Sequence, residues 1–163
     1  MTTTATTASS FDVRAPIHAI IPNVFDTMLG LPLAPARADA TRPGDGLITG
    51  FVGIGGENVC GAVYLHFPEA LAQQAAAAML GLGAGETAAD ADVNDVVGEL
   101  CNMVAGGLKG LLCDAGLPCA ISAPAIVRGG DYSIETSEDV PRQKFFFDCQ
   151  EHRLAVEVHL KTN

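Results

Sequence analysis

Basic side chains are scarce in this sequence. Nine Lys and Arg residues stand against nineteen Asp and Glu residues, and the formal net charge is −10. Nucleic acids and anionic membrane surfaces attract clustered Lys and Arg side chains. The charge balance therefore argues against both kinds of partner. We expect an acidic chain of this size to meet proteins or small molecules instead.

The sequence also lacks a membrane span and a secretion signal. No apolar run approaches the roughly 20 residues that cross a bilayer. The start, MTTTATTASS, has neither a basic region nor an apolar stretch, so it does not read as a signal peptide. We expect residues 1–10 to form a disordered polar tail, residues 11–163 to form a single domain, and the protein to be cytoplasmic.

Metal and nucleotide signals are missing as well. The sequence has five irregularly spaced cysteines, namely Cys60, Cys101, Cys113, Cys119 and Cys149. None belongs to a CxxC pair, and a zinc site needs closely paired ligands, so we expect buried reduced thiols and no metal site. The glycines of residues 53–58 do not complete the GxGxxG spacing of a phosphate loop, and turn chemistry explains them better.

What the sequence does contain is one long amphipathic segment, residues 92–116. Its helical periodicity places a set of residues that we call the polar line on one face: Asp95, Glu99, Asn102, Gly106 and Lys109. The far side carries the apolar residues Val97, Leu100, Val104, Leu108 and Leu111. The pattern predicts a helix with a buried back and a polar front.

The polar line has two interpretations. A polar line on an amphipathic helix is usually its solvent-exposed face. However, Asn102 is a mediocre helix former in the middle of a helix, which calls for a reason. Gly106 and Gly110 each cost up to about 1 kcal/mol relative to Ala. They would admit another backbone, either that of a docking partner or that of a neighbouring helix in the same fold.

The remaining segments predict the other elements of one domain. In chain order they are a helix at residues 12–31, a hairpin of residues 47–54 and 59–67, a helix from Pro68 to Gly81 or Gly83, the residue 92–116 helix, and strands at residues 119–127, 145–149 and 154–160. Strands that follow one another favour antiparallel pairing. The fold class is therefore α+β, a mostly antiparallel sheet of about five to six strands packed against three helices.

Prolines and acidic residues predict local details of these elements. Pro22 should kink or split the first helix. Residues 32–46 are rich in Pro and Gly and predict a loop. Pro124 should interrupt its strand at an edge or bulge. Asp90 or Asp92 can cap the central helix.

The polar line also carries a recognisable motif. It contains the spacing Asp95-x3-Glu99-x2-Asn102, and Pro124 follows about twenty residues later within the S-x-P sequence of residues 122–124. This pattern resembles the signature of the CheC, CheX and FliY family of chemotaxis phosphatases. The sequences NMVAGGLKGLL and SAPAIVRGG are similar to CheX in particular. Only one Glu-x-x-Asn pair is present, as in CheX and unlike the two-site CheC arrangement.

The resemblance implies a CheC-like fold, a homodimer and a reaction. The family hydrolyses the aspartyl phosphate of a response regulator such as CheY. The acyl phosphate and Mg²⁺ belong to that partner, so the chain needs no cofactor of its own. By motif position, Asn102 would orient the attacking water through its amide, and Glu99 would pair with the partner's lysine.

The other residues of the motif and the polar line have less defined roles. Asp95 can act as a helix cap, a docking residue or only part of the signature. Gly106 and Lys109 are candidate contacts for the partner's surface. Pro124 belongs to the signature and would shape the neighbouring strand.

Two alternative functions compete with the phosphatase. The chain can be a non-catalytic, CheX-like adaptor that binds a receiver domain, because fold does not dictate function. The intact pair of Glu99 and Asn102 weighs against this alternative, since an adaptor has no need of the amide. The chain can also be a relative of the flagellar switch proteins, but it lacks a recognisable switch-protein tail.

Overall fold

A computed structural model describes residues 10–37, 46–130 and 132–163. Its elements are α1 (Arg14–Leu29), β1 (Ala34–Ala36), β2 (Leu47–Gly55), β3 (Val59–Pro68), α2 (Glu69–Leu80), α3 (Asp90–Asp114), β4 (Ala120–Ile121), β5 (Ala125–Arg128), β6 (Arg142–Cys149) and β7 (His152–Thr162). The predicted α+β, CheC-like fold class is confirmed. The predicted disordered tail, apart from Ser10, lies outside the described residues.

All seven strands belong to one antiparallel sheet in the order β1-β6-β7-β3-β2-β4, with β5 also paired to β2. The strand predicted at residues 119–127 is split into β4 and β5, and Pro124 lies in the break, as expected. The predicted loop at residues 32–46 is corrected, because β1 forms there and pairs with β6. An edge strand tolerates Pro35, whose missing N–H would otherwise interrupt a ladder.

The three helices share one face of the sheet. A row of directly opposed residues crosses the central strands: Gly50, Leu65, Val156 and Phe145. Opposed residues in a ladder point to the same face. A Cβ at Gly50 would clash with α3, and Phe145 lies 5.6 Å from the ring of His18 on α1. The hydrophobic core therefore fills the layer between this face and the helices.

The opposite face of the sheet carries a polar network. Thr49 Oγ1 lies 2.8 Å from His66 Nδ1, and the other ring nitrogen of His66 lies 3.6 Å from Glu157. His159 Nε2 lies 3.4 Å from the same carboxylate, and Lys144 Nζ lies 3.1 Å from it. The hydrogen bond from His66, together with Lys144, lowers the pKa of Glu157 to about 2. Burial lowers the pKa of His159.

The helix ends agree with the sequence in part. Gly81, one of the two residues predicted to end this helix, ends α2 in the left-handed conformation with φ at 67°. Pro22 does not split α1, which is one helix from Arg14 to Leu29. The predicted cap of α3 is wrong: its N-cap is Ala89, which makes no side-chain hydrogen bond. Asp90 and Asp92 instead lie in the first turn, where their negative charges interact favourably with the positive end of the helix dipole.

The longest helix, α3, is the core helix of the domain. Within the described residues it alone is long and apolar enough, by length and composition, to cross a membrane. Half of the apolar stretch is buried inside the fold, however. Its hydrophobic character is thus used for packing against the sheet and the other two helices.

Candidate functional site

The polar line lies on the solvent side of α3, as its periodicity predicts. Asp95 and Glu99 are exposed. Asn102, Gly106 and Lys109 are partly exposed on the same side of the helix. The structure therefore brings all five predicted residues to one accessible surface, along about four turns of a single rigid element.

The buried back of α3 fixes this orientation. Val97, Leu100, Val104 and Leu108 are buried, as predicted. Leu111 is not, since 40% of its surface is exposed. Leu112 takes the buried place, because the core-facing row near the end of the helix continues from Leu108 at i+4. This correction leaves the polar line unchanged.

The chemical groups of the site are free to meet a partner. Within the described part of the chain, the side chains of Asp95, Glu99 and Asn102 form no hydrogen bond or ion pair. A carboxylate and an amide that are exposed and unpaired keep their full capacity to accept and donate hydrogen bonds. This arrangement suits recognition of another molecule and contributes little to the stability of the fold.

The glycines of α3 fall into two groups. A Cβ at Gly107 would lie 3.3 Å from Ile20 of α1, so this glycine serves close packing within the fold. A Cβ at Gly106 or Gly110 would meet nothing within 4 Å among the described residues, apart from its chain neighbours and the nearby backbone of α3 itself. Packing inside the described chain therefore explains Gly107 but not Gly106 and Gly110. The two unexplained glycines lie on or near the polar line.

Pro124 lies against the helix that carries the site. A Cβ at Gly98 would be 3.5 Å from Cγ of Pro124 and 3.9 Å from Cδ1 of Ile126. Ser122 holds the chain in place beside this contact, because its Oγ accepts a 2.8 Å hydrogen bond from the N–H of Gly53. The motif proline thus reaches α3 one residue before Glu99. The sequence prediction gave Pro124 only a role in shaping its strand.

Sequence reasoning missed the contact between Arg128 of β5 and Asn94 near the start of α3. Arg128, the last residue of β5, donates from Nε to Oδ1 of Asn94 over 2.8 Å. The same guanidinium lies over the first helical turn, where it also meets Asp90. An Arg that ends an apolar strand was the available signal. Without the sheet topology, Asn94 could not be identified as the residue that Arg128 contacts.

The cysteines are less uniform than predicted. All five are free, but only Cys101 and Cys149 are buried, whereas Cys60 and Cys113 are exposed. Burial and the neighbouring Cys113 thiol raise the pKa of Cys119, while Lys109 acts in the opposite direction. Among the described residues, no group of three His, Cys, Asp or Glu side chains could hold a metal ion.

Comparison with known proteins identifies a family and several solved structures that this chain resembles. Residues 48–148, which include all of α3 and Pro124, match the family described as chemotaxis phosphatase CheX. The chain resembles the crystal structure of the chemotaxis protein CheX from Vibrio vulnificus, with 28% sequence identity and a TM-score of 0.77. That match covers 93% of this chain and 97% of the other.

Two further solved structures share the fold. A CheC-like superfamily protein from Shewanella sp. PV-4 is 28% identical with a TM-score of 0.76, over 90% of this chain and 96% of its own. The Borrelia burgdorferi complex of CheX, CheY, BeF3 and Mg²⁺ matches with a TM-score of 0.71 at 18% identity, over 92% of this chain and 98% of its own. No curated protein matches the sequence.

Proposed function

Because this chain belongs to the chemotaxis phosphatase CheX family, we propose that it hydrolyses the aspartyl phosphate of a CheY-like response regulator. The observation that carries the proposal is the exposed carboxylate of Glu99 and the partly exposed amide of Asn102 on one face of α3, both without a partner among the described residues. Such a phosphatase would act in the cytoplasm, where phosphorylated receiver domains are found.

Asn102 has the chemistry that the hydrolytic step requires. Its amide can accept a hydrogen bond from a water molecule through Oδ1 and donate one through Nδ2. Both contacts together would hold the water in line with the phosphorus–oxygen bond that breaks. An aspartyl phosphate is already labile, so the position of one water molecule is a sufficient contribution. The Mg²⁺ ion would belong to the receiver domain, and this chain would supply no cofactor.

Glu99 would fix the docked position. It lies three residues before Asn102 and nearly one turn away on the same face, so both side chains can enter one active site. Pairing of its carboxylate with the lysine of the receiver would orient the partner and leave room at the phosphate. Asp95 would extend the contact at one end of the polar line, and Gly106 and Lys109 at the other. The solved complex of Borrelia CheX with CheY supports a partner of this class.

The test compares single substitutions in the decay of a phosphorylated receiver domain. We expect Glu99→Ala and Asn102→Ala each to remove the acceleration that the wild-type chain provides. Asn23→Ala is the matched control, because Asn23 is an exposed amide on α1 and is absent from the polar line. A wild-type rate from Asn102→Ala would sink the proposal. Receiver binding without any change in phosphate lifetime would instead indicate an adaptor.

A homodimer is part of the same proposal. The described sheet ends in β1 on one side and in β4 and β5 on the other. Open edges carry unpaired backbone N–H and C=O groups that favour further strand pairing. Light scattering should therefore give a particle of twice the 16.8 kDa chain mass. A particle of 16.8 kDa would contradict the dimer.

A further inference from the structure

The β4–β5 segment supports α3 through alternate residues. Pro124 and Ile126 both lie under Gly98. Arg128, two residues further along, reaches Asn94 at 2.8 Å. Alternate residues of a strand point to one face, so this side of the segment follows α3 over its first turns. These turns include Asp95 and lead directly to Glu99.

Arg128 makes the polar contacts of this support. Its Nε donates to Oδ1 of Asn94 over 2.8 Å, and its Nη2 donates to the backbone carbonyl of Asp90 over 3.1 Å. Its Nη1 lies 3.7 Å from Oδ1 of Asp90. Three nitrogens of one planar group thus hold two residues that lie about one turn apart at the start of α3. A lysine could not reproduce this geometry, because it has a single ammonium group.

The contacts are poorly explained by helix stability alone. A positive charge near the N-terminus of a helix opposes the helix dipole. The ion pair to Asp90 is largely solvated, since 79% of the Asp90 side chain is exposed, and such pairs contribute little to folding. The guanidinium instead constrains where the first turn of α3 lies relative to β5.

We propose that Arg128 is a positioning residue for the site formed by Glu99 and Asn102. This inference rests on the proposed phosphatase function and adds to it a residue that is not one of the signature positions Asp95, Glu99, Asn102 and Pro124. Arg128 acts through Asn94 and does not touch the receiver's phosphate.

We call the contacts of Arg128 with Asn94 and Asp90 the clamp. Because α3 is long, a small change in its direction at the clamp displaces Asn102. Asn102 lies eight residues beyond Asn94, or about 12 Å along the helix axis. A change of about 5° in helix direction over that length moves the Asn102 amide by about 1 Å. A displacement of about 1 Å at a reacting group can cost as much as 100-fold in rate. Because buried side chains also hold α3, we expect a loss of about tenfold when the clamp is removed.

The first experiment compares two arginine substitutions. Arg128→Ala should lower kcat for phosphate release about tenfold, with a smaller change in KM, since the helix still presents its docking surface. Arg153→Ala is the matched control. Its side chain is 32% exposed against 31% for Arg128, and it donates to Asp148 over 2.9 Å at the far side of the sheet. The two variants should show similar thermal stability, but Arg153→Ala should keep wild-type kcat.

The second experiment changes the acceptor of the clamp. Asn94→Asp keeps an oxygen for Nε of Arg128, so kcat should stay near the wild-type value. Asn94→Leu removes the acceptor and should reproduce the loss seen in Arg128→Ala. A direct contact between Arg128 and the receiver would give a different pattern, in which Asn94→Leu has normal kcat. That pattern, or a normal kcat in Arg128→Ala, would overturn the proposal.

Amide hydrogen exchange separates this inference from the proposed function. In the free protein, Arg128→Ala should speed exchange in the first two turns of α3, whereas Arg153→Ala should not. This result supports the clamp even if the wild-type chain fails to hydrolyse phosphorylated receivers, an outcome that would refute the phosphatase alone. Unchanged exchange in Arg128→Ala would overturn the clamp whatever the activity.

Discussion

Gly106 is a position where stability and recognition make opposite demands. Apart from its chain neighbours and the nearby backbone of α3, no atom of the described residues lies within 4 Å of a Cβ placed there. Ala at this position should therefore stabilise the helix by up to about 1 kcal/mol. If a receiver's backbone docks on the polar line, the added methyl group should also obstruct it. We predict that Gly106→Ala unfolds at a higher temperature but accelerates phosphate decay less than the wild-type chain.

Gly107→Ala supplies the comparison for this prediction. Its Cβ would press on Ile20 at 3.3 Å, so the stabilising effect should be reduced or reversed while the docking face stays unchanged. Thermal unfolding and phosphate decay should be measured on both variants. A stabilised Gly106→Ala variant with undiminished activity would show that no partner approaches this glycine.

Individual site residues were predictable to different degrees. Glu99 and Asn102 could be named as candidates through the family resemblance, because the spacing of that motif is a local property of one helix. The role of Arg128 could not, since its contact with Asn94 joins residues 34 positions apart through the pairing of β5 with β2. The contact of Pro124 with Gly98 depends on the same pairing. Local periodicity therefore predicts the polar line of α3, whereas the contacts that hold the helix in place depend on the sheet topology.

The contact between α3 and β2 leaves no room for a side chain at Gly50. A Cβ there would lie 2.9 Å from Cγ1 of Val97 and would also clash with Sγ of Cys101. Overpacking of this kind typically costs about 1–3 kcal/mol. We predict that Gly50→Ala lowers the free energy of unfolding by about that amount, as measured by urea denaturation.

Gly53→Ala tests whether this effect belongs to the helix contact or to the strand. The nearest atom to its Cβ is Ser122 Oγ at 3.4 Å, which is close to ordinary contact distance. We therefore expect a small change in stability from this variant. Equal losses from both substitutions would mean that the strand, and not the approach of α3, requires glycine.

The elements that form locally were the predictable ones. The β2–β3 hairpin, the three helices and the break at Pro124 all follow from short-range patterns. β1 was missed because its partner in β6 is more than one hundred residues away along the chain. Pro22 was expected to kink or split α1. The helix is not split there, and Ile17, Ile21, Val24 and Phe25 are buried around the proline. Tertiary packing outweighs the local cost of the proline.

The whole molecule should lose stability in acid in two stages. Burial lowers the pKa of His159 from its ordinary value of 6.5, so the folded state binds a proton less readily than the unfolded chain. The stability that the neutral, buried His159 gives the folded state is fully present above pH 6.5 and is lost as the pH falls below 6.5. Glu157, with a pKa of about 2 against 4.5, contributes above pH 4.5 and loses its contribution as the pH falls towards 2.

Urea unfolding across a pH series measures both stages. The free energy of unfolding should decline below pH 6.5 and decline further below pH 4.5. Glu157→Gln should flatten the lower stage, because the carboxylate that titrates there is gone. A wild-type profile that stays level from neutral pH to pH 3 would show that the polar network on the outer face of the sheet does not control acid stability.

In the proposed reaction, the amide of Asn102 accelerates hydrolysis once the receiver is docked. The most direct measurement is the decay of a phosphorylated CheY-like receiver at concentrations of this chain that saturate binding, with binding followed separately. The wild-type chain should shorten the phosphate lifetime by about 100-fold or more, which is the contribution typical of a single positioned catalytic group. Asn102→Ala should bind the receiver but leave its intrinsic lifetime unchanged. Accelerated decay by fully bound Asn102→Ala would show that the amide of Asn102 does not position the attacking water.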